Sequence, residues 1–309
     1  MTRPSLFAKR LPDGRLHLQE GPIDLVIEAF GEGGEVERAY AAAAACFEEV
    51  LPDLVAELAG LRTPVTGVTN LRGPVARRMF AACSPHRAAF VTPMAAVAGA
   101  VADHVLAAMT GAATLARAYV NDGGDIALHL MPGESLACGM VARLNDPRID
   151  GPKIDGPKID GPKLDGRAVI AAETAIRGIA TSGRATLGEG GRSFSLGIAD
   201  AVTVFAKNAA DADVAATLIA NAVDLPGHPA LRRRPASEID PESDLGQRPV
   251  VIGVGALSET EISAALRRGL AEAEAMRAAG LIEAVVLFLS GQAEILGGEG
   301  LLPRLPSAA

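Results

Sequence analysis

The residues best placed for chemistry fall in one short stretch, Tyr119-Val120-Asn121-Asp122-Gly123-Gly124-Asp125-Ile126-Ala127-Leu128-His129-Leu130. Two strand-like runs flank paired glycines, Gly123 and Gly124, which reach positive φ without strain and leave backbone amides bare. Such a turn can face a phosphate or a sugar. Asp122 and Asp125 stand where the chain reverses, so either can hold a ligand hydroxyl or a hard cation. An ordinary tight hairpin needs the same Asn-Asp-Gly-Gly, so the turn alone does not decide between the two.

Three further segments carry compatible chemistry. In Gly178-Ile179-Ala180-Thr181-Ser182-Gly183-Arg184, the Thr181 and Ser182 hydroxyls can donate to phosphate oxygens, with the Arg184 fork behind them. The spacing is not G-x-S-x-G, so a nucleophile elbow is not indicated. At the start of a helix near residue 209, Asp213 and Thr217 stand four apart and share a face. That pair can give two oxygens to Mg²⁺, which keeps waters or ligand phosphates in its other positions. In the competing reading Asp211 or Asp213 is an N-terminal cap and Thr217 packs inside. Residues 92–103 read as one helix with Pro93 in its first turn and almost no side-chain bulk. Its leading amides suit an anion, and its small residues equally suit tight packing on a sheet. His104 reads as a surface residue or a functional one, and the acidic 240–246 segment as a site contact or a turn.

Sheet and helix must alternate to position these residues. Pro12-Asp13-Gly14 separates strands at 5–10 and 15–19, and residues 23–30 alternate as a third strand. An alanine-rich helix follows from Glu35 to about Leu61, interrupted at Pro52, with Tyr40, Phe47 and Leu51 as core. A short helix follows Pro74. Strands are expected at 137–144, 167–172, 201–206, 250–254 and, last, 283–289. Ser258 with Glu261 forms a capping box that opens a helix to about Ala279. Residues 225–248 read as an irregular, proline-rich connection with Arg232, Arg233 and Arg234 in a solvated loop, and the chain end reads as loose. Between 149 and 166 the chain repeats Ile-Asp-Gly-Pro-Lys; a proline every five residues excludes a central strand or a helix, leaving an exposed loop. The glycine-rich 188–191 segment reads as a lid or a loop.

The 309-residue chain is 49% hydrophobic, enough to bury a large core, so one large domain or two closely joined lobes is expected. With a net charge of −8 and no basic patch interleaved with aromatics, nucleic acid is not an expected partner. Cys46, Cys83 and Cys138 lack C-x-x-C spacing, which argues against a disulfide framework or structural zinc and for a reducing compartment. The N-terminus runs into Lys9-Arg10 and not into an apolar signal core, and no run is read as a membrane span. The expectation is a cytoplasmic protein without a membrane partner.

Asn121-Asp122-Gly123-Gly124-Asp125-Ile126, Thr181-Ser182-Gly183 and Asp213-x-x-x-Thr217, in this order and at these gaps, resemble the ApbE superfamily of FAD:protein FMN transferases. More narrowly, Pro93-Met94-Ala95-Ala96-Val97-Ala98-Gly99, Ser193-Phe194-Ser195-Leu196-Gly197-Ile198-Ala199-Asp200-Ala201-Val202-Thr203 and Ser243-Asp244-Leu245-Gly246 resemble its UPF0280 branch. The likeness covers roughly residues 20–290. It implies an α+β ApbE-like fold in one domain over 1–309: two closely packed α/β lobes with mixed or antiparallel sheets and FAD in the cleft between them. It also implies Mg²⁺ near the pyrophosphate, held by Asp213 and Thr217 and completed by a carbonyl among Ala96, Val97 and Ala98. Gly99, Asn121, Gly123, Gly124, Asp125, Thr181, Ser182, Gly183 and Arg184 then fall to the cofactor. Such a transferase cleaves the pyrophosphate and joins FMN to a threonine of an acceptor protein. The family's Lys-Gly pair is Ala98-Gly99 here, its His-x-x-Asp-Pro-x-Thr-Gly segment is absent, and aromatics are few, so no catalytic residue is assigned. The same residues would serve a flavin or small-anion carrier without chemistry, or another small-molecule enzyme on this scaffold. The apolar, alanine-rich helices suggest a homodimer.

Overall fold

In the computed structural model, which describes residues 6–67, 69–140, 166–184 and 194–299, the alternation of the first thirty residues becomes sheet. Strands β1 (Phe7–Arg10) and β2 (Leu16–Glu20) close antiparallel around Gly14, and β3 (Ile23–Phe30) pairs with β2. Ile23, Leu25, Ile27 and Ala29 are buried while their neighbours are not, as a strand with one solvated face requires. Helix α1 (Gly33–Ala56) runs straight through Pro52, so the interruption expected there does not occur. The break comes at Glu57, before α2 (Leu58–Leu61). Its carboxylate accepts the amides of Arg72 and Gly73 at 2.8–3.0 Å, fixing the approach to α3 (Pro74–Cys83), which opens on its proline.

The segment expected as a single helix from residue 92 is two elements. A 3₁₀ turn, Pro93–Ala96, ends where Ala96 takes φ −130° and ψ 18°, and α4 (Val97–Ala112) begins there. The break moves the unpaired amides forward onto Ala98 and Gly99. By length and composition alone Pro93–Ala112 is long enough and apolar enough to cross a membrane, contrary to the expectation that no run is. In this fold it is a core helix, with Ala100, Val101, Ala102, Val105 and Met109 fully buried against α1, β4 (Arg117–Asp122) and β5 (Asp125–Leu130).

Strands β6 (Ser135–Met140) and β7 (Gly166–Ala171) form a separate antiparallel pair. The end of the strand expected at 137–144, nearly all of the 149–166 repeat and the 188–191 segment lie outside the described residues. Strands β8 (Gly178–Ser182) and β9 (Ala201–Ala206) lead into α5 (Ala209–Ala222). The cap of α5 is Asn208, whose Oδ1 accepts the Asp211 amide at 2.8 Å; neither aspartate takes that role. The expected irregular connection contains β10 (Leu231–Pro235) and a short α6 (Ala236–Ile239), and β10 pairs with β11 (Pro249–Val254). The three arginines are thus strand, not loop: Arg233 sits against Asp224 and donates to the Leu196 carbonyl at 2.6 Å. Helix α7 (Glu259–Ala278) opens on the expected capping box. The strand expected as the last, β12 (Ala284–Leu289), is followed by another, β13 (Gln292–Gly297), and the chain end from residue 300, expected to be loose, lies outside the described residues.

One sheet of nine strands, in the order β1-β2-β3-β4-β5-β8-β9-β12-β13 with every pair antiparallel, carries the fold. Along β12 the even positions, Ala284, Val286 and Phe288, join one core and the odd ones, Val285, Leu287 and Leu289, another, the two-residue period of a sheet buried on both faces. The result is an α+β fold with a large antiparallel sheet and, among the described residues, seven α-helices. On the helical face the core divides: α1 packs on β2 and β3 and α4 on β4 and β5, with α3 against α4, while α7 packs on β12 and β13. Helix α5 lies on the seam, giving Ala209, Ala210 and Val214 to the first cluster and Ala212, Ala215 and Ile219 to the second.

Candidate functional site

Asp122 ends β4 and Asp125 begins β5, directly opposite each other in register. Between them Gly123 and Gly124 sit at φ +62° and +116°, and Asn121 Oδ1 accepts the Gly124 amide at 2.8 Å. Asn121 is therefore committed to the turn. Alternation along the strands puts both carboxylates on the helical face, with Val120 and Ala127. Asp125 Oδ1 accepts the Thr181 amide at 3.2 Å, which ties this hairpin to β8.

Asp213, in the second turn of α5, meets the same region from above. Its Oδ2 accepts the Gly99 amide at 3.0 Å, and the Ala98 amide also bonds to it. The helix start that was read as an anion site is thus occupied by the protein's own carboxylate. The arrangement is reciprocal: Asp103 of α4 accepts the amides of Ala209 and Ala210, at 3.1 and 3.0 Å, at the start of α5. Each helix supplies the anion that satisfies the other's leading amides. Asp103 was not singled out in the sequence; its position four residues after Gly99, one turn along the same face, is the signal that could have found it.

These carboxylates stand in one another's fields. Burial pushes the Asp122 carboxyl up to about 8, and the charges of Asp213 and Asp24 add to it. Burial raises Asp125 well above the ordinary range, reinforced by Asp213 and Asp122. Asp213 is raised by burial too, opposed by the amides of Gly99 and Ala98. All three folded values lie above the unfolded value near 4. Each group therefore contributes stability that is fully present below about pH 4 and is lost as pH rises through its folded value. Without divalent cations, Tm should fall relative to Asp122→Asn by several degrees between pH 5 and pH 8.5. Scanning calorimetry of both proteins across that range checks it; parallel curves would show that Asp122 carries no buried charge.

The other expected residues are distributed unevenly. Ala96 is buried at the end of the 3₁₀ turn, and Val97 is half-buried at the start of α4. Thr181 reaches the site through its amide, because its hydroxyl pairs with that of Thr203 at 2.9 Å. Thr203 alternates with Val202 and Val204, so this hydroxyl faces away from the helices. Ser182 is half-buried and lies opposite Val202 in the ladder. Gly183 takes φ +139°, and a Cβ there would come within 2.6 Å of the Asp200 carbonyl oxygen. The Arg184 guanidinium lies 3.8 Å from Asp200. Thr217 is half-buried one turn beyond Asp213.

Among the described residues no group of three His, Cys, Asp or Glu side chains sits close enough to ligate an ion alone. That fits Mg²⁺, which takes one or two protein carboxylates and fills its octahedron with hydroxyl, carbonyl, water and phosphate oxygens. The charges of Asp122, Asp125 and Asp213 raise one another's proton affinity, a repulsion that a cation at Asp213 would relieve. No aromatic residue occurs in 96–103, 121–125, 181–184 or 208–217 to stack on a ring.

An antiparallel sheet beneath a seam of helices, with a carboxylate cluster at the seam and glycine turns around it, defines an α+β protein of one recognisable class. The chain belongs to the family described as AbpE bacteria, which matches residues 8–295. It is 32% identical to a UPF0280 protein of Methanothermobacter thermautotrophicus over 172 residues, 53% of this chain and 54% of that protein. It is 36% identical to a UPF0280 protein of Methanosphaerula palustris over 152 residues, 49% of this chain and 54% of that one. The chain thus spans about half the length of these curated relatives.

Proposed function

We propose that the protein is an ApbE-like flavin nucleotide enzyme that binds FAD or a related dinucleotide with Mg²⁺ at the carboxylate cluster and acts on the pyrophosphate. One observation carries the reading: Asp213 holds the Gly99 amide, Asp125 holds the Thr181 amide, and Asp213 lies close enough to Asp122 and Asp125 for its charge to raise both, so segments remote along the chain meet. Asp213 and Thr217 would hold the cation, with a carbonyl of the 96–98 stretch. When bound, Mg²⁺ supplies positive charge against the phosphate oxygens as they gain negative charge. Asp125 orients the Thr181 amide, and the Gly123-Gly124 turn leaves room for the ligand at the hairpin tip. In the transfer itself an acceptor hydroxyl oxygen bonds to the FMN phosphorus while the bond to AMP breaks, AMP keeping the electron pair. The hydroxyl proton goes to solvent water, because Asp122 and Asp125, raised by burial, already hold theirs at neutral pH.

Calorimetric titration of the protein with FAD, with and without Mg²⁺, tests the reading. Binding that requires Mg²⁺ is expected, with FMN and AMP appearing on incubation with an acceptor. A carrier without chemistry is the second reading, favoured by Arg184, the nearest guanidinium in the glycine turn, lying towards Asp200. Binding without any AMP released would select the carrier, and no binding would overturn both.

A further inference from the structure

Gly60 of α2, residues of 63–66 and 69–72, Phe80 and Pro93 line an open cavity of about 410 Å³. Phe80, Leu71 and Pro93 give it apolar lining, and Glu57 and Arg72 supply one charge of each sign among its polar residues. Both oxygens of Glu57 are taken by the Arg72 and Gly73 amides, whereas Thr66 and Asn70 have no hydrogen-bond partner among the described residues. Apolar side chains beside the neutral donors and acceptors of Thr66 and Asn70 match a heteroaromatic ring, and the volume falls in the range of small-ligand sites.

The cavity is also tied to the carboxylate cluster. Pro93 is both its wall and the first residue of the 3₁₀ turn that leads into α4. At about 2.0 Å per residue in that turn and 1.5 Å in the helix, Pro93 is roughly 11 Å along the chain axis from Gly99, whose amide Asp213 holds. The wall is braced: buried Thr92 donates its hydroxyl to Asp244, and the Arg248 guanidinium lies 3.1 Å from the centre of the Phe90 ring.

We infer that this cavity receives a planar ring of the ligand whose phosphates lie at the carboxylate cluster. The inference rests on the function proposed above and supplies the ring site that the cluster lacks. The ring is the adenine or the isoalloxazine, which share this chemistry; ADP and FMN distinguish them. Titration calorimetry with FAD, ADP and FMN in Mg²⁺ is applied to the native protein, Asn70→Ala, Phe80→Ala and Asp213→Asn. Both cavity variants should weaken FAD and one of the two half-ligands about tenfold, leaving the other half-ligand within about twofold. Asn70 is exposed, so its variant keeps the fold even if loss of Phe80 packing does not. FAD affinity that falls in Asp213→Asn and is unchanged in Asn70→Ala overturns the cavity alone. Failure of the native protein to bind any of the three overturns the functional reading and this inference together.

Discussion

Replacing Asp213 by asparagine is expected to abolish Mg²⁺-dependent FAD binding, with a loss of at least about 100-fold, while leaving the metal-free protein at pH 8 as stable as before or more stable. The two halves of that outcome come from different physics. Removing even an outer partner of a metal site costs roughly 10–100-fold in affinity, so removing the carboxylate itself costs more. Asparagine keeps the shape and retains one oxygen to accept the Gly99 amide at 3.0 Å, so the link between α4 and α5 survives. What disappears is a half-buried negative charge in the field of Asp122, Asp125 and Asp103. Taking an uncompensated charge out of such a site is neutral or stabilising. Tm at pH 8 with and without Mg²⁺, beside titration with FAD, reads both. In the native protein a cation at about 100 times its Kd should add about 2.7 kcal/mol, a rise of several degrees. If Asp213→Asn keeps that rise, Asp213 is only the cap of α4. If instead it loses much of its metal-free stability, the carboxylate charge is compensated by something other than a metal.

How much of this arrangement can be read before folding depends on how far apart the partners lie. Elements set by neighbours along the chain were legible: the alternation at 23–30, the proline that opens α3, and the Ser258–Glu261 capping box, whose bonds close within four residues. Pro52 misled because an interior proline removes one hydrogen bond, a loss that tertiary packing of Phe47, Val50 and Leu54 outweighs in a 24-residue helix. The three arginines of β10 looked like a solvated loop because the groups that make them strand, β11 and Asp224, are set by the fold and not by local pattern. For the site, the glycine turns and Asp213 were visible as residue types, but the direction of each group was not. The Thr181 hydroxyl turns to Thr203, its amide turns to Asp125, and Asp103 closes a contact 106 residues away. A helix break at Ala96, which moves the leading amides onto Asp213, has no signal in a run of alanines.

Gly99→Ala is the second large effect, expected to cost about 3 kcal/mol and to lower Tm by roughly 5 °C or more, with Mg²⁺-dependent binding down at least about tenfold. Elsewhere in a helix this exchange stabilises, since alanine is the best helix former and glycine among the worst. Here α4 and α5 approach so closely that the new Cβ would meet the Ala209 carbonyl oxygen at 2.2 Å and the Ala210 nitrogen at 2.8 Å. Those atoms are backbone, so no side chain can rotate away and the helices must separate. Separation stretches both reciprocal links at once, Gly99 to Asp213 and Asp103 to Ala209 and Ala210. The half-buried carboxylates of Asp213 and Asp103 then lose their amide partners, which adds to the steric cost. Gly111, in the last turn of the same helix, has nothing within 4 Å of its Cβ position, so Gly111→Ala should instead gain up to about 1 kcal/mol. Calorimetry of the two variants separates helix propensity from close approach. Equal stabilisation of both would mean that α4 and α5 are not held together as described, and the geometry that brings Asp213 to the hairpin would fall with them.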